Sequence, residues 1–128
     1  MPNLSEATIA KMRKVIKAVL AEPEYYDQQY FPKASDCGQT CCAAGWAVWL
    51  FEPAREYRKL AKRTDEVAWR NKAEEALGLP PTGWKLFGHA RDWPLAYSVM
   101  YLNARNPRGR AEAMAARWER YIATDGAE

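Results

Sequence analysis

From Gly38 to Phe51 the chain reads Gly-Gln-Thr-Cys-Cys-Ala-Ala-Gly-Trp-Ala-Val-Trp-Leu-Phe, with no charged side chain until Glu52 and a proline at 53. Its alanines, with Leu50 and Phe51, favour helix over strand. A helix apolar on nearly every face belongs at the centre of a structure, with other elements around it. The sequence therefore predicts a central helix over Gly38 to Phe51, capped by Ser35 or Asp36 and barred from continuing by Pro53. Gly45 costs about 1 kcal/mol of helix propensity relative to alanine. Beside Ala44 it lets another backbone come close.

The rest of the chain supplies helices to surround it. Alanine is abundant, and the β-branched residues that favour sheet are scarce. Ser5 caps a helix running to Ala21, whose Ile9, Met12, Ile16, Val19 and Leu20 recur at helical spacing before Pro23 ends it. A charged helical stretch follows from Pro53 to Leu77, broken at Thr64-Asp65, with Gly78 as the terminating residue and Pro80-Pro81 beyond. A short helix over Thr82–Phe87, a turn over Gly88–Trp93 and a helix from Pro94 to Asn103 come next. Asn106-Pro107 opens a last helix ending near Ala123, with Met114, Trp118, Tyr121 and Ile122 as its stripe. The expected fold is all-α: one domain over residues 1–128, a bundle of five to seven helices with an aromatic-rich loop between residues 22 and 36.

Several classes of protein are disfavoured. A chain of 128 residues, 48% hydrophobic and 27% charged, has an ordinary globular composition. No run approaches the roughly 18 apolar residues of a membrane span, and no leader pattern opens the chain. Cys37, Cys41 and Cys42 are odd in number and clustered, which suits a reducing, cytoplasmic setting better than a secreted disulfide framework. A net charge of +3 leaves room for an anionic partner without demanding one.

The segment Asp36-Cys37-Gly38-Gln39-Thr40-Cys41-Cys42-Ala43-Ala44-Gly45-Trp46-Ala47 resembles a family of small bacteriophage and bacterial proteins, mostly without assigned function. Their pattern is Cys-Gly, three variable residues, Cys, two small or apolar residues, Gly, an aromatic or His, then Ala. Cys37 and Cys42 take its two cysteine positions, and Cys41 is extra. The likeness continues at Leu77-Gly78-Leu79, Leu86-Phe87, Trp93-Pro94 and in the helix from Pro107 to Ile122. The resemblance implies a phage or mobile-element origin and no particular chemistry.

Four constellations carry possible chemistry. Cys37, placed at the start of the central helix, would gain thiolate character from the helix dipole. His89 is the one histidine available as its base, with Asp92 to orient it, which makes a cysteine-dependent hydrolase one alternative. The plainer role for Cys37 and Cys42 is as small core residues. Cys37, Cys41 and His89 make half of a metal site, so neither a metal nor a cofactor is expected. The third constellation is a pocket for a nucleotide-like anion. Tyr25, Tyr26, Tyr30 and Phe31 would stack, the start of the central helix near Asp36 would meet a phosphate, and Trp46, His89 and Arg91 would complete the contacts. Against this, the aromatics alone would staple the long loop to the core. The fourth is nucleic-acid backbone binding by Arg55, Arg58, Lys59, Lys62, Arg63, Arg70 and Lys72 and by the arginines from 105 to 120, although interleaved acids fit solvated helix faces. The preferred expectation is a small phage-type accessory protein that captures a host protein or a nucleotide-like signal. It would have no membrane association, and homodimerisation would be open to it.

Overall fold

The computed structural model describes residues 2–28, 42–62 and 66–128. Among them are six α-helices: α1 (Glu6–Ala21), α2 (Ala43–Phe51), α3 (Ala54–Ala61), α4 (Glu66–Leu77), α5 (Leu95–Leu102) and α6 (Pro107–Ala123). Three short 3-10 turns join them, at Pro23–Tyr25, Pro81–Leu86 and Ala90–Asp92. The described residues contain no β-strand. The all-α bundle expected from the composition is the observed fold.

The helix ends follow from local chemistry. Ser5 is extended, and its hydroxyl accepts from the Thr8 amide at 3.1 Å, capping α1. Asn106 does the same for α6 through the Gly109 amide at 2.8 Å, with Pro107 opening the helix. At the end of α4, Gly78 takes φ +71°. The Leu79 amide then reaches the Glu74 carbonyl and the Gly78 amide reaches that of Glu75, the paired bonds of a Schellman turn. A side chain at Gly78 would be strained by its backbone and would crowd the Thr8 hydroxyl at 3.0 Å.

The central helix differs from its expected form at both ends. It begins at Ala43, not Gly38, because Cys42 is extended (φ −75°, ψ 175°) and forms the boundary without a side-chain cap. Ser35 and Asp36 therefore do not cap it. From Ala43 to Val48 every residue is buried, but Trp49 and Leu50 are exposed at its far end. α2 packs on α4 and touches α1, α1 packs on α6, and α5 lies along α6. Trp69 of α4 and Trp118 of α6 are fully buried. Edge-to-face ring pairs link Tyr57 with Trp69 (5.3 Å) and Phe87 with Trp118 (6.0 Å).

The last turn of the chain is tied to the first. Asp125, with φ +52°, accepts from the Asn3 amide at 2.7 Å and the Leu4 amide at 2.9 Å. Those two donors hold its carboxyl below the ordinary value of 3.8. A lowered folded pKa stabilises the fold above the unfolded value, and the contribution is lost as pH falls through the folded one. Asp125→Asn tolerates the backbone but keeps no charge. It is expected to melt lower than the parent at neutral pH. The difference should close as the pH is taken below 3.8, and thermal melts across acid pH check this.

Candidate ligand-binding site

A small cluster of buried polar groups organises one end of the bundle. Gln28 is 1% exposed, and its side-chain oxygen accepts from the Tyr26 hydroxyl at 2.7 Å. Its amide nitrogen donates to the carbonyls of Leu86 (3.2 Å) and Gly88 (2.9 Å). Its backbone N–H donates to the Tyr101 hydroxyl at 2.9 Å, and that hydroxyl donates to Asp27 at 3.0 Å. Burial pushes the phenols of Tyr26 and Tyr101 well above their ordinary value, so both stay neutral donors. Gln28 thus fixes the strand of backbone from Leu86 to Gly88, which forms one side of a cleft.

That cleft has a volume of about 580 Å³, within the range of small-molecule sites. Trp84, Lys85 and Gly88 line it from the Pro81–Leu86 turn and the residues after it, Arg70 from α4, and Arg117 from α6. Trp93, Asp92 and Glu128 line it too. The Trp84 indole is 55% exposed, which leaves a ring face open to stack on a ligand. A side chain built on Gly88 would meet open space.

Arg117 is the unusual member. It is 1% exposed, and its Nε and Nη1 have no hydrogen-bond partner among the described residues. Burial lowers the pKa of its guanidinium. Even lowered, an arginine stays charged at neutral pH. The Trp93 indole N–H also has no acceptor among the described residues. Two carboxylates line the cleft against three cations, and one of the two, Glu128, is held by Arg120 at 2.6 Å. Among the described residues Arg70, Lys85 and Arg117 form no ion pair, and Glu128 acts on Arg117 only through its field.

The sequence-derived site is only partly assembled. Tyr25 is exposed, but Tyr26 lies in the core, where its hydroxyl serves Gln28 and its ring meets Tyr101 edge-on at 6.3 Å. It cannot stack on a ligand. Trp46 is also buried, and its indole N–H donates to the Tyr25 carbonyl at 3.2 Å, so it staples the loop rather than lining a pocket. Arg91 is exposed and stands outside the lining of the cleft. Tyr30, Phe31, Asp36, Cys37 and Cys41 lie outside the described residues.

For the hydrolase alternative, Cys37 lies outside the described residues, and α2 starts six residues after it, so the dipole of α2 is not at its side. Cys42, which borders that helix, is fully buried. Asp92 does not orient His89: the Nδ1 of His89 is buried without a partner among the described residues, while Asp92 is exposed. No group of three or more potential metal ligands occurs among the described residues.

Three residues of the basic stretches are paired within the protein. Arg108 pairs with Glu112 and donates to the Leu20 carbonyl, Arg120 pairs with Glu128, and Lys72 meets Glu52 and Glu75. No described helix is long and apolar enough to cross a membrane. Comparison of the chain with protein families, with curated proteins and with solved structures finds no match.

The residues that sequence reasoning missed had a readable signal in one case. Arg117 falls between Met114 and Tyr121 on the apolar stripe of α6, where a charge is out of place. Trp84, Lys85 and Arg70 converge only through the tertiary fold.

Proposed function

We propose that this chain is a small binding protein that captures a nucleotide-like anion in the cleft above Arg117. The observation that supports the reading best is a buried guanidinium, two of whose nitrogens have no partner among the described residues, lining a cleft that also presents an exposed indole and two further cations. Buried charges are normally paired, because an unpaired one is expensive to keep. A ligand phosphate entering the cleft would compensate that charge, with Lys85 and Arg70 beside it and a base over Trp84. Functional sites are where a fold retains such unfavourable arrangements.

The setting follows from the resemblance of the Cys37–Ala47 segment to phage proteins. In that setting the protein would be an accessory factor that withdraws a host signalling nucleotide, an anti-defence role carried out by binding rather than by catalysis. Trp84→Ala removes the stacking face, and Gly88→Leu fills the cleft where the backbone leaves room. Both are expected to weaken nucleotide binding at least tenfold by titration calorimetry, with melting temperatures close to the parent. The probes are adenine and guanine mono-, di- and cyclic nucleotides. Absence of binding by every probe, or equal affinity in parent and variants, would overturn the proposal.

A further inference from the structure

A second concave surface lies between α1 and α2 and shares no residue with the cleft. It is a groove of about 480 Å³ lined by Lys14, Lys17, Ala18, Ala21, Leu50 and Phe51. Its floor is apolar, and two small residues three positions apart, Ala18 and Ala21, allow a visiting backbone to come close. At its open end Leu50 is 39% and the neighbouring Trp49 52% exposed, on a helix otherwise buried.

Its rim is cationic. After Glu6, α1 carries no acidic residue, but it carries Lys11, Arg13, Lys14 and Lys17. Arg13 pairs with Glu119, and the Lys11 amine donates to the Ala76 carbonyl and sits 5.6 Å over the Phe51 ring. Lys14 and Lys17 are exposed and have no carboxylate within ion-pair distance among the described residues. The two cations left over are the two that flank the apolar floor.

We propose that this groove docks an acidic amphipathic helix of a partner protein. The stretch from Lys14 to Ala21 spans about 10 Å of α1, at 1.5 Å per residue, or two turns of a helix lying alongside. Two apolar side chains of the partner, four residues apart, would sit against Ala18, Ala21, Leu50 and Phe51. Asp or Glu on its flank would face Lys14 and Lys17, giving the helix-in-groove mode with a charge match that sets partner choice. A bilayer is the weaker fit. Interfacial helices present a projecting apolar face to lipid, whereas this apolar surface is recessed.

The test is fluorescence anisotropy with the full chain and a labelled helical peptide bearing leucines at i and i+4 between glutamates, against the same peptide with lysines for glutamates. The acidic peptide is expected to bind at least tenfold tighter. The double variant Lys14→Glu/Lys17→Glu should reverse the preference, and Ala21→Trp, at an exposed position of the apolar lining, should abolish binding of both peptides. Circular dichroism checks that each variant keeps its helix content. Equal binding of the two peptides, or a preference that survives charge reversal, overturns the proposal. So does partitioning onto vesicles of anionic phospholipid, lost in Ala21→Trp, by a protein that ignores the peptides.

Discussion

Replacing Arg117 by methionine is expected to make the protein more stable and to weaken its binding of ligand severely. Methionine follows the aliphatic stem of the arginine and removes two buried nitrogens that have no acceptor among the described residues. An unmet buried polar group costs about 1–3 kcal/mol, so the melting temperature should rise by several degrees. The ligand effect has the opposite sign. An anion about 5 Å from the guanidinium gains about 3 kcal/mol at an effective dielectric near 20, so its loss should weaken binding on the order of a hundredfold. Paired thermal melts and calorimetric titrations of parent and variant check both halves. A variant that melts lower would mean that the guanidinium serves the fold, and the cleft reading would lose its main support.

Gln28→Leu is expected to cost about 3–5 kcal/mol. The substitution nearly conserves volume, so the loss comes from polar groups rather than from a cavity. The Tyr26 hydroxyl and the carbonyls of Leu86 and Gly88 would each lose the partner that Gln28 supplies. Each group stranded in the interior contributes about 1–3 kcal/mol. Because Gly88 lines the cleft, the same variant should also bind ligand more weakly, unlike Arg117→Met, in which stability and binding part company. Urea denaturation read by tryptophan fluorescence gives the stability change.

The contrast between these two residues marks what the sequence made legible. Ser5, Gly78, Asn106 and Pro107 act through their nearest neighbours, so the ends of α1, α4 and α6 could be read from local chemistry alone. The stripe of α6 was equally open to periodicity. The start of α2 was not, because Cys42 turns extended for reasons that lie in the packing around it. Gln28 sits in a loop whose aromatics drew the attention, and nothing nearby in sequence distinguishes it from the glutamine that follows. Three of its four partners lie 58 to 73 residues away, and the fourth, Tyr26, is itself one of those aromatics. The cleft was missed for the same reason, since α4, α6 and the Trp84 turn must meet before Arg70, Lys85 and Arg117 have anything in common. Tyr26 and Trp46 were placed in a pocket because an aromatic residue reads identically whether it stacks on a ligand or on the core.

The uncharged helix at the middle of the bundle has a consequence for how the molecule breathes. The amides of Ala47 and Val48 lie in a helix segment buried on all sides, so no local fraying exposes them to solvent deuterium. They exchange only when the whole chain opens. Any molecule that binds the folded form alone makes that opening rarer by a factor of one plus its concentration over its dissociation constant. The exchange clock of α2 therefore registers occupancy at the distant cleft or at the lysine-rimmed groove, without a label at either place.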